Sequence, residues 1–89
     1  MRVMRLLRLQ GADGVCARLA HRPTTAYGMV NAGTLPPPIK FGRSSCWPEH
    51  EIDAIVGAIV AGRTEDEIRV LVQALLASRS SAAPVASAA

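Results

Sequence analysis

Lys40 and Arg43 stand on either side of Gly42 in the run IKFGRSSCW, and the hydroxyls of Ser44 and Ser45 follow directly. Two cations and two hydroxyls around a glycine turn suit a phosphate better than a protein core. Upstream, Arg22, Thr24, Thr25 and Asn31 lie within one short stretch. Arg22 and Arg43 offer the planar fork that matches phosphate or guanine. Asn31 and the threonines can bond base edges or phosphates. This chemistry recognises a polyanion and breaks no bond.

Other chemistries fit the residues less well. Cys16 and His21 could be combined with Cys46 and His50 as a metal set, but the spacing is not that of a zinc finger. Cys16 also falls on a core-facing helical stripe, where a buried free thiol is the ordinary reading. No metal and no cofactor are expected. There is no nucleophile elbow, phosphate loop or paired-carboxylate motif, so the chain is not expected to be an enzyme. Glu65, Asp66 and Glu67 read as charge at a helix N-terminus. Phe41 and Trp47 read as core anchors. The two cysteines form no CxxC pair, Met1–Leu9 is interrupted by arginines, and no apolar stretch approaches the roughly 18 residues of a membrane span. A cytoplasmic, nucleoid-associated protein is expected.

Eighty-nine residues allow one small domain. Its charge is unevenly placed. Residues 1–45 hold seven Arg and Lys against Asp13 alone, and residues 46–89 hold three Arg against six carboxylates. A basic half facing a polyanion is the expectation.

The elements that position these groups follow from pattern. Val3, Leu6, Leu7 and Leu9 among arginines suggest a short strand or arm. Val15, Cys16, Leu19 and Ala20 have helical spacing. Pro23 opens a second helix, which carries Tyr27 and Val30 on one face and stops at Gly33. Pro36–Pro38 must run extended. Ile39 and Phe41 alternate with Lys40 in a strand, Gly42-Arg43 turns, and Ser44–Trp47 returns as a hairpin. Tyr27, Val30, Ile39, Phe41 and Trp47 are the expected packing frame. Pro48 opens a third helix with the stripe Ile52, Ile55, Val56, Ile59 and Val60. Thr64 and Glu67 form a capping box before the stripe Ile68, Leu71, Val72, Leu75 and Leu76.

The run Thr25, Tyr27, Met29-Val30, Gly33, Leu35-Pro36, Pro38, Ile39-Lys40, Gly42-Arg43 and Trp47, followed by Glu51-Ile52, resembles the AlpA family. These are small phage- and prophage-associated regulators, related to excisionases and to the MerR DNA-binding domain. The likeness covers about residues 5–60. It implies a mainly α winged helix-turn-helix with a small β-hairpin wing, and a C-terminal helical hairpin as an extension. It implies that Arg22, Thr24, Thr25, Gly28 and Asn31 face a DNA groove. Lys40, Arg43, Ser44 and Ser45 would be the wing contacts, with the Tyr27 hydroxyl reaching a phosphate. Gly28 stands where members often carry a cation, so the wing and Arg22 would carry more of the binding.

The expected organisation is a DNA-binding domain over residues 1–62, a C-terminal helix over 63–79 and a disordered tail over 80–89. The expected partner is double-stranded DNA. The C-terminal stripes also suggest a homodimer through residues 64–79. The expected function is a sequence-specific regulator of transcription or an excision factor. The alternative is a winged-helix adaptor, such as the small subunit of a DNA-packaging machine, recruiting a partner through its helical extension.

Overall fold

The computed structural model describes residues 5–82; for Phe41 and residues 80–82 the description is of the backbone alone. The chain is mainly helical with one small antiparallel sheet. In order it forms β1 (Leu6–Arg8), α1 (Val15–Leu19), α2 (Pro23–Ala32), β2 (Ile39–Phe41), β3 (Ser44–Pro48), α3 (Glu49–Val60) and α4 (Glu65–Ala82).

The sheet has three strands in the order β1-β3-β2, not the two of a lone hairpin. The N-terminal strand supplies the third. Leu7 pairs with Trp47 and Arg8 with Cys46, while Ile39 also pairs with Cys46 and Lys40 with Ser45. Paired residues share a face and successive residues alternate. Lys40 and Ser45 therefore lie on the face of Leu7 and Trp47, and Ile39 lies on the opposite face with Arg8. This corrects the expected packing frame: Ile39 and Trp47 cannot face one core. The side chain of Phe41, the other strand residue in that frame, lies outside the description.

Trp47 is fully buried and fixes the crossing from α2 to β2. Its Nε1–H donates to the Pro36 carbonyl at 2.7 Å. Thr34, Leu35 and Pro36 in that crossing are buried. The crossing begins at Gly33, whose φ of +84° lets its own N–H and that of Thr34 cap the last carbonyls of α2.

Ala20 ends α1 in the same left-handed region, at φ 59° and ψ 37°. Alanine is strained there and glycine is not. Ala20→Gly is expected to stabilise the fold by about 0.5–1 kcal/mol, after allowing for the freer unfolded chain. A thermal melt would rise by several degrees; a lower midpoint would contradict this.

Pro48 ends β3 and caps α3 from outside rather than opening it. Along α3, Ile52 and Ile55 are fully buried, but Ile59 is 48% and Val60 81% exposed, so the expected stripe leaves the core at its last turn. In α4, Ile68 and Val72 belong to the same core as Leu7, Val15, Leu35 and Trp47, and Leu71, Leu75 and Leu76 pack against it. The stripe expected to join two copies is thus covered within one chain at Ile68 and Val72 and half-covered at Leu71, Leu75 and Leu76. Helix α4 also runs to Ala82, past the expected boundary at residue 79. The expected tail beyond residue 82 lies outside the described residues.

The capping box forms in both directions. The Thr64 N–H donates to Glu67 Oε1 at 2.9 Å, and the Glu67 N–H donates to Thr64 Oγ1 at 3.1 Å. The Thr64 N–H holds the Glu67 carboxyl below its ordinary value of 4.5, against some desolvation and with help from the Arg63 charge. A lowered pKa means that this contribution is present above the ordinary glutamate range and is lost as pH falls through the folded value. Glu67→Gln is expected to cost stability near neutrality and less in acid. Urea midpoints for both proteins in the two ranges test this; an equal gap in both would contradict it.

Candidate nucleic-acid interface

The cations fall into two groups. Arg5 and Arg18 meet Glu49 at 3.3 and 2.7 Å, and Arg18 also meets Asp53 at 3.0 Å, tying the residue before β1 and helix α1 to α3. Arg63 pairs with Glu67, Arg69 with Asp66 and Glu65, and Arg79 with Glu51. Among the described residues, no carboxylate lies within 4.0 Å of Arg8, Arg22, Lys40 or Arg43. All four are exposed.

Helix α2 carries the first candidate set. Arg22 is its N-cap in an extended conformation, with no side-chain capping bond. The first turn of α2 has no acidic residue, whereas α3 begins with Glu49 and Glu51 and α4 with Glu65, Asp66 and Glu67. The longer helices thus answer their own positive ends with carboxylates. Helix α2 places no carboxylate at its own positive end. Thr24, Gly28 and Asn31 follow i, i+4, i+7 on one exposed face, with Thr25 beside them. The opposite face is held by buried Ala26 and half-buried Met29 and Val30. A Cβ added at Gly28 would meet nothing within 4 Å, so this face is open.

The hairpin carries the second set. Its two-residue turn has Gly42 at φ +63° and Arg43 at a negative φ, the signature of a type II′ turn with glycine first. Arg43 sits at the tip. Lys40 and Ser45 share one face of the sheet, and Ser44 lies on the other. The expected wing contacts are therefore divided between two faces and a tip.

Tyr27 links the sets. It is 42% exposed, so the expected packing position is only half realised. Its ring meets Trp47 with centroids 6.3 Å apart at 56°, joining α2 to the base of the hairpin.

No family model, curated protein or solved structure matches this chain.

Helix α4 adds supports that sequence reasoning missed. Arg69 Nε donates to the Ala32 carbonyl at 2.9 Å, a cation at the C-terminal end of α2. Arg79 donates to the Pro37 carbonyl at 2.9 Å and grips both oxygens of Glu51, at 2.6 and 2.8 Å. Both ends of the crossing between α2 and β2 are thereby fastened to one helix. Glu51 is fully buried. A signal for it existed: Glu51 stands four residues before Ile55, on the apolar stripe of α3. Nothing in the sequence pointed Arg69 or Arg79 at a backbone carbonyl.

Proposed function

We propose that this chain is a sequence-specific, duplex-DNA-binding protein that regulates transcription or excision in a phage or other mobile element. In this reading α1 and α2 are a helix-turn-helix and β2–β3 is its wing. Helix α2 enters the major groove, and the hairpin meets the adjacent backbone or minor groove. The protein is a cytoplasmic binding module without catalytic activity.

The carrying observation is the division of cations. Among the described residues, those without a carboxylate partner lie on β1, the α2 N-cap and the hairpin, and the paired ones join elements of the fold or turns of one helix. The uncapped, acid-free start of α2 supports the same reading. So does the resemblance of Thr25–Trp47 to AlpA-type regulators. The adaptor alternative and the homodimer are the lesser readings, because part of the α4 stripe, Ile68 and Val72, is used in the chain's own core.

Selection from a pool of random duplexes tests specificity. A short enriched motif is expected, and Arg22→Ala or Asn31→Ala should change its sequence, since each good base contact discriminates by about 1–3 kcal/mol. A pool that shows no enrichment would contradict sequence-specific binding.

A further inference from the structure

We propose that the groove beside the hairpin binds a second backbone phosphate of the DNA, on the flank of the wing opposite Lys40. Arg8, Leu9, Gln10, Ser44 and Ser45 line this open groove of about 380 Å³. This rests on the DNA-binding reading and adds a third contact element, strand β1, to it.

The sheet register carries the argument. Arg8 pairs with Cys46 and Lys40 with Ser45, and these neighbours on the central strand point to opposite faces. Arg8 and Lys40 therefore leave the sheet in opposite directions from its two edge strands. Their Cα atoms are roughly 10 Å apart, two inter-strand spacings. One thin sheet thus presents a cation on each flank, with Arg43 at its tip. Arg8 is exposed, and among the described residues no carboxylate lies within 4.0 Å of it. Its guanidinium has the fork that grips a phosphate. The Gln10 amide and, on the same face as Arg8, the Ser44 hydroxyl add neutral donors, while Ser45 turns its hydroxyl to the Lys40 face. A groove with one arginine free of a carboxylate partner, an amide and a hydroxyl suits a single phosphodiester.

The test is salt-dependent binding of a mixed-sequence DNA duplex, followed by fluorescence anisotropy. Arg8→Gln should weaken binding about tenfold and make the slope of log K against log salt shallower by about 0.9, one phosphate contact. Arg8→Lys should restore the slope. The Arg8→Gln and Lys40→Ala effects should add, since they act on separate phosphates. The groove assignment is overturned if Arg8→Gln changes neither affinity nor slope while Lys40→Ala changes both. It is also overturned if the two effects fail to add. In those cases the DNA-binding reading stands. If the unmodified protein binds no duplex even at low salt, both fall together.

Discussion

Arg79→Ala is expected to lower the stability of the fold by about 3–5 kcal/mol, the cost of leaving a buried carboxylate unpaired. Glu51 is fully buried, and Arg79 binds both of its oxygens at 2.6 and 2.8 Å. The arginine side chain is 23% exposed, so water does little to screen the pair. The change also frees the Pro37 carbonyl. A domain of this size has a total stability of about 5–13 kcal/mol, so the loss is a large share of it. Urea unfolding followed by far-UV circular dichroism measures it directly. Replacing both partners, Glu51→Leu with Arg79→Leu, should recover much of the loss, because no lone charge remains in the core. A single variant within about 0.5 kcal/mol of the parent, the range of an ordinary surface change, would contradict the assigned role.

The second large effect concerns the hairpin. Lys40→Ala with Arg43→Ala is expected to weaken duplex binding by about a hundredfold or more, from two lost charge-assisted bonds of about 1.5–3 kcal/mol each. The slope of log K against log salt should become shallower by about 1.8. The loss should be uniform across DNA sequences, because phosphates carry no base identity. Both side chains are exposed and, among the described residues, no carboxylate lies within 4.0 Å of either, so the melting temperature should not move. A doubly substituted protein that binds as well as its parent would remove the hairpin from the interface.

Much of this arrangement was legible in the residues. Periodicity marked the long helices, Pro23 and Gly33 bounded α2, and Gly42-Arg43 marked the turn. The capping box at Thr64 and Glu67 formed as its spacing required. The misses share a cause: each depends on what long-range packing places next to a residue. Local alternation put Ile39 inward, but its pairing with Cys46 turns it away from Trp47. The α4 stripe showed an apolar face without showing that the covering surface belongs to the same chain. Net charge made the N-terminal half basic as a block. Only the fold separates Arg5 and Arg18, which bind Glu49, from Arg8, Arg22, Lys40 and Arg43.

That separation is the central claim, and a salt titration of the unmodified protein on duplex DNA tests it most directly. With roughly 4–6 phosphates neutralised, log K should fall against log salt with a slope of about −4 to −5. No binding at low salt, or an affinity indifferent to salt, would contradict it.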